Sequence, residues 1–334
     1  MSFPYYKGHG KQRNQDGYKD LPYPRRDLQN CPEHYYSSDR LAKAVNVSLL
    51  LGQPLIVTGA PGSGKTQLAY RIAWELGFDQ PLKFNTKSTS IARDLFYYFD
   101  SLARFHDQEN KPPKEFITYH ALGMAMILAN HPSDVKKIVP TFMAEHLKPK
   151  RSVVLIDEID KAPRDFPNDI LNELESMDLH IPELNNAILR VPEEHHPVII
   201  MTSNSEKNLP DAFMRRCVYF HIQFPNEELL QKIAENRLKD LAKYNQRISP
   251  RSKHFITDAI DLFIKLRDAG LKKKPATSEL LVWLQTLQTQ SNTENPVVDD
   301  PIILLSSLSA LIKNKEDFTL AEGVIKKWNP KRNQ

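Results

Sequence analysis

The run Gly59-Ala60-Pro61-Gly62-Ser63-Gly64-Lys65-Thr66 fits the template G-x-x-x-x-G-K-[ST] without a gap or substitution. Its flanks constrain the chain further. Pro54-Leu55-Ile56-Val57-Thr58 reads as a short buried strand. Thr66 to Leu76 reads as an amphipathic helix, with Leu68, Ala69, Ile72, Ala73 and Leu76 on one face and Gly77 as its stop. A strand, a glycine-rich turn and a helix N-terminus make an anion site. Backbone N–H groups converge there, and the helix dipole adds about half a positive charge. The expected ligand is a nucleoside triphosphate held by Gly59, Ala60, Pro61, Gly62, Ser63, Gly64, Lys65, Thr66 and Gln67. Lys65 is expected to reach the β- and γ-phosphates, and the Thr66 hydroxyl to ligate Mg²⁺.

Around this loop the pattern alternates strand and helix, which predicts a parallel sheet covered on both faces. The strand candidates are 55–58, 82–85, 152–156, 198–202 and 218–222. Ser38-Asp39 caps a preceding helix that runs to Leu51 and closes at Gly52. A stretch over about 101–150, with a polar Pro- and Lys-rich loop and an apolar helix around Ala121–Ala129, reads as an insertion. After Phe224-Pro225 the strand signals stop and four or five helices follow, over 227–244, 253–269, 278–288, 301–313 and 320–328. Asp300-Pro301 marks a helix start, and Thr319-x-x-Glu322 reads as a capping box. The fold class is therefore an α/β phosphate-loop domain over 37–225 followed by a smaller all-helical domain over 226–334. Residues 1–36, rich in Tyr, Pro, Gly and charge without a period, read as an extended arm or a partly disordered leader.

Composition limits the setting. The formal charge of +4 is too small to argue for nucleic acid, even with basic clusters at Lys272-Lys273-Lys274 and from Lys326 to Arg332. No apolar run approaches the ~20 residues of a membrane span, and the first residues carry no signal-peptide core, so a cytoplasmic location is expected. Cys31 and Cys217 give neither a metal spacing nor a disulfide framework. His195-His196 has no third ligand at metal spacing nearby, and adjacent side chains point apart.

Three further segments carry chemistry. Val153-Val154-Leu155-Ile156-Asp157-Glu158 delivers two adjacent carboxylates to the carboxyl end of a strand, where ligands sit in open parallel sheets. Asp157 is expected in the Mg²⁺ shell, and Glu158 to orient and activate the attacking water. Val198 to Thr202 is another buried strand, ending in Ser203-Asn204, and the Asn204 amide is placed to meet both the γ-phosphate and that water. Asp211-Ala212-Phe213-Met214-Arg215-Arg216-Cys217 offers two guanidinium groups, and an arginine on a γ-phosphate is worth about 10³–10⁵ in rate.

Together these segments resemble the AAA+ ATPases, and within them the MoxR-like, dynein-related branch. The matching runs are the Walker A loop GAPGSGKT (59–66), the Walker B run VVLIDEID (153–160), the first-sensor strand VIIMTSN (198–204) and AFMRRC (212–217). The resemblance covers about residues 37–290. It implies ATP with Mg²⁺, a homo-oligomeric ring, usually a hexamer, and an arginine from Arg215 or Arg216 acting on the neighbour's ATP. It also implies a chaperone-like remodelling role, with a protein partner bearing a von Willebrand factor A domain. The alternating segment from Leu179 to Val191 falls where the family places an insertion hairpin. Family members usually carry a second-sensor arginine near Ser278. Here the segment reads Lys272-Lys273-Lys274-Pro275-Ala276-Thr277-Ser278-Glu279, and lysine does not reproduce arginine's bidentate geometry. Two other functions stay open: a nucleotide-gated scaffold or switch with negligible turnover, and a DNA-translocating motor.

Overall fold

The computed structural model describes residues 32–143, 148–204, 209–244 and 252–329. The arm expected over 1–36 lies outside them except for its last five residues. The described chain divides into two compact units. One comprises 37–60 and 65–223; the other comprises 32–36, 61–64 and 224–329.

The first unit is built on a five-stranded parallel sheet of β1 (Leu55–Gly59), β2 (Leu82–Asn85), β5 (Val153–Asp157), β8 (Val198–Ser203) and β9 (Val218–Ile222). Its order is β2-β5-β8-β1-β9. All four ladders are parallel, so the carboxyl ends of all five strands share one edge. The three central strands are buried along their whole length, as expected of a sheet covered on both faces. They are the apolar runs picked out by the sequence, and the α/β fold class is the one observed.

Local chemistry sets the helices. The helix Asp39–Leu51 starts where Ser38 Oγ accepts from Leu41 N at 3.2 Å, and it ends on Gly52 at φ 63°. The helix Lys65–Glu75 buries Leu68, Ala69, Ile72 and Ala73, whereas Leu76 is half exposed beyond its end.

The interruption expected over 101–150 divides differently. An antiparallel hairpin of β3 (Tyr97–Phe99) and β4 (Ile117–Tyr119), with the short helix Ser101–Phe105 in its loop, forms the excursion. The helix Ala121–Ala129 belongs to the core, because it is apolar on nearly every side and only a site packed all round can bury it. A Cβ on Gly123 would fall 2.0 Å from the Phe96 carbonyl oxygen, so this helix lies directly on the chain that enters the hairpin. The second hairpin, β6 (Asp178–Ile181) with β7 (Ala187–Arg190), occupies the alternating segment before β8. Glu183 in its turn accepts from Tyr97 Oη at 2.7 Å, which ties the two hairpins together.

Among the described residues the second unit is helical from Glu227 on, around a core containing Trp283, Phe255, Phe263, Leu280, Leu284 and Leu287. Trp283 Nε1 donates to Ser307 Oγ at 2.9 Å, which satisfies the one polar atom that this fully buried ring carries. Asp300 caps its helix by accepting from Ile303 N at 3.1 Å, as the sequence suggested. The capping box at Thr319 and Glu322 is not formed. That helix runs over Lys315–Lys327 with Asn314 as its cap, so Thr319 sits inside it. No helix among the described residues is long and apolar enough to cross a membrane.

Candidate functional site

β1 ends at Gly59 and the helix begins at Lys65, so residues 60–64 turn the chain through the loop. Gly62 and Gly64 hold φ of 73° and 90°, values that L side chains rarely adopt. Lys65 is only 6% exposed; its ammonium donates to the carbonyls of Gly59 at 2.8 Å and Ala60 at 3.0 Å. Burial lowers the Lys65 pKa below the usual range, against the opposing pull of Asp160, Asp157 and Glu158. Ser63 Oγ, in the loop, is buried without a hydrogen-bond partner.

Asp157 stands at the end of β5 and gathers three donors. Thr66 Oγ1 donates to its Oδ1 at 2.9 Å, Thr202 Oγ1 donates to the same oxygen at 2.7 Å, and Lys83 Nζ sits 2.7 Å from Oδ2. Burial alone would raise this carboxyl, but the bonds from Lys83, Thr202 and Thr66 outweigh it and hold Asp157 below the usual carboxylate range.

Glu158 follows in the left-handed region, at φ 58° and ψ 51°, a conformation costing a non-glycine residue about 1–2 kcal/mol. Its N–H is fixed by Thr202 Oγ1 at 2.9 Å. The turn sends the two adjacent acids in different directions: Asp157 toward the phosphate loop, Glu158 toward β8. There the Asn204 amide donates to Glu158 Oε1 at 3.3 Å, and Lys161 pairs with Oε2. The Asn204 N–H is anchored on Asp160 Oδ1 at 3.1 Å.

Arg215 and Arg216 lie elsewhere. They end the short helix Asp211–Met214 and precede β9, whose first residue, Val218, pairs with Leu55 at the start of β1. The phosphate loop leaves the other end of β1, beside Ile222. Four strand steps, roughly 13 Å, separate the two ends. Arg216 is paired with Glu175, while Arg215 is exposed. The backbone N–H groups of Lys272 and Lys273 bond to the fully buried Asp317, and the Lys272 ammonium pairs with Glu316. Within the same unit, a Cβ on Gly62 would fall 2.9 Å from Ala276 Cβ and 2.4 Å from Ser278 Oγ. Small side chains thus lie against Gly62, whereas at Gly64 the Tyr35 ring lies 3.1 Å from where a Cβ would fall. Glu279 caps its own helix, accepting from Ala276 N at 2.6 Å.

The residues present fit a magnesium nucleotide. Thr66 and Asp157 offer adjacent oxygen donors, the set a hard cation takes, and the orphaned Ser63 hydroxyl lies in a glycine loop shaped to close on an anion. Sequence reasoning missed Lys83 and Thr202. Lys83 is one polar residue in a four-residue strand, and Thr202 looked like a strand-end residue.

A model of the ATPase family associated with various cellular activities (AAA) matches residues 55–226, just over half of the chain. The chain belongs to the AAA ATPase family. As an AAA protein it carries the family's nucleotide-binding core, and the sheet order and the loop after β1 are the parts of the fold that build it. No curated protein matches this AAA chain. Among solved structures it is similar to forms of the RuvB protein of Thermotoga maritima. One has a TM-score of 0.45 at 14% identity, over 80% of this chain and 66% of that one. Another has 0.45 at 15%, over 88% and 72%. A third, described as the RuvB Holliday junction branch migration motor, has 0.42 at 15%, over 94% and 72%. The AAA chain thus spans just under two thirds of the first of these.

Proposed function

We propose that this AAA protein hydrolyses ATP and works as a ring-forming, chaperone-like remodelling motor of the MoxR-like type. The observation that carries the reading is the set of bonds from Thr66 through Asp157 and Thr202 to Glu158 and Asn204 at the carboxyl ends of β5 and β8. Lys65, the loop N–H groups and Gln67 hold the triphosphate. Thr66 and Asp157 would hold magnesium, which would supply charge neutralisation at the phosphate oxygens. Glu158 accepts a hydrogen bond from the attacking water and takes its proton, while Asn204 fixes the carboxylate.

Arg215 and Arg216 complete a different site. Their place at the amino end of β9 favours action on the ATP of an adjacent subunit, which makes the oligomer, a hexamer by family resemblance, part of the mechanism. A protein partner with a von Willebrand factor A domain rests on the same resemblance, as does the MoxR-like branch. Retention of partners by the Glu158→Gln variant loaded with ATP tests that assignment. Partners lacking such a domain would argue against it.

A second reading, a nucleotide-gated switch with negligible turnover, is favoured by the small residues Ala276 and Ser278 beside Gly62, where the family's lid arginine is expected. Multiple-turnover ATPase measurement across protein concentration separates the two. The motor's rate climbs steeply with concentration as rings form, while the switch shows no turnover at any concentration.

A further inference from the structure

Lys83 lies on β2, the edge strand of the sheet, in register with Leu155. A lysine on an edge strand ordinarily turns its ammonium to water and protects the edge from pairing. Lys83 is exposed on this strand, with 30% of its side chain accessible, yet its ammonium reaches along the neighbouring strand to Asp157 Oδ2. Asp157 is consequently saturated. One oxygen takes two hydroxyls and the other takes an ammonium, with the carboxylate side chain 11% exposed. A divalent cation drawn to Thr66 and Asp157 meets a positive charge already seated on the same carboxylate. Two cations sharing one buried group repel, and the interaction is only weakly screened there.

We propose that Lys83 is a built-in competitor of magnesium at Asp157: it neutralises the carboxylate when the metal is absent and withdraws as the metal–nucleotide complex enters. It is a positioning residue that sets the magnesium concentration at which the site loads. The inference rests on the nucleotide-site reading above. It has two consequences of opposite sign. Without the metal, Lys83 spares the nucleotide phosphates from a bare carboxylate. With it, Lys83 weakens the metal's hold.

The test is the binding of the fluorescent nucleotide mant-ADP to the full chain, titrated with magnesium chloride and separately in EDTA, for the wild type, Lys83→Met and Lys83→Arg. In Lys83→Met the half-saturating magnesium concentration falls by about tenfold, equivalent to ~1.4 kcal/mol, while binding in EDTA weakens. Lys83→Arg keeps the charge and stays near the wild type. A magnesium midpoint unchanged in Lys83→Met overturns the proposal, since a merely structural lysine alters stability and not this midpoint. Failure of every form, the wild type included, to bind mant-ADP with magnesium would instead overturn the nucleotide-site reading.

Discussion

Thr66 Oγ1 donates to Asp157 Oδ1 at 2.9 Å, joining the first turn of the helix behind the glycine loop to the end of β5. The bond spans 91 residues of sequence and ties the start of that helix to the sheet. Thr202 extends it from β8, donating to the same oxygen while accepting from Glu158 N. One hydroxyl thus holds Asp157 and sets the turn at Glu158.

Thr202→Val keeps the shape of the side chain and removes both bonds. The Glu158 N–H then lacks its acceptor, so the first unit loses about 1–3 kcal/mol, measured by chemical denaturation. ATPase activity falls further than this loss of folded protein explains, because the turn that aims Glu158 is released.

Both arginines are exposed, and they differ in that Arg216 forms a surface ion pair with Glu175. On the proposed reading Arg215 is therefore the one that acts on a neighbouring subunit. Arg215→Ala should lower kcat by about 10³ without weakening ATP binding. Mixing Arg215→Ala with Glu158→Gln, each inactive alone, restores turnover at interfaces where an intact Glu158 faces an intact Arg215. No recovery on mixing would argue for action within one subunit.

Asp157 gives the first unit an acid dependence of definite sign. Its folded pKa lies below the unfolded value, so its contribution is full above the ordinary carboxylate value of about 3.9 and is lost as pH falls below it through the folded pKa. The stability gap between wild type and Asp157→Asn, followed by urea denaturation, stays level from pH 7 to 5 and closes at more acid pH. A gap that widens on acidification would contradict the direction of the shift.

Gly123 tests the reassignment of the helix Ala121–Ala129 to the core. Its added Cβ would meet backbone rather than a flexible side chain. Gly123→Ala therefore destabilises the unit by about 1–3 kcal/mol or more, against the ordinary gain from replacing glycine inside a helix. A stabilised variant would place this helix at the surface.

The sequence shows the five sheet strands because strands buried on both faces read as continuous apolar runs, as at Val153–Ile156 and Val198–Met201. β3 and β4 were not legible. Three residues carry no period, and the pairing of Tyr97 with Tyr119 is made across an intervening helix and loop. Lys83 was hidden for a related reason: alternation gives its face of β2, while its meeting with Asp157 depends on which strand lies beside it. The pattern at Thr319 and Glu322 misled because Asn314 supplies an earlier cap. Asp317 likewise gave no sign that, fully buried, it would secure the turn at Lys272 and Lys273.

On the proposed reading, Glu158 activates water for hydrolysis at a site assembled by Thr66, Asp157 and Thr202. The most direct measurement pairs steady-state ATP turnover with equilibrium ATP binding for the wild type and Glu158→Gln. The account predicts wild-type turnover, a loss in kcat of about 10² or more in the variant, and ATP affinity within a few-fold of the wild type. Equal turnover in both proteins would contradict the role of Glu158, and a wild type that binds ATP without turning it over would contradict the hydrolytic motor itself.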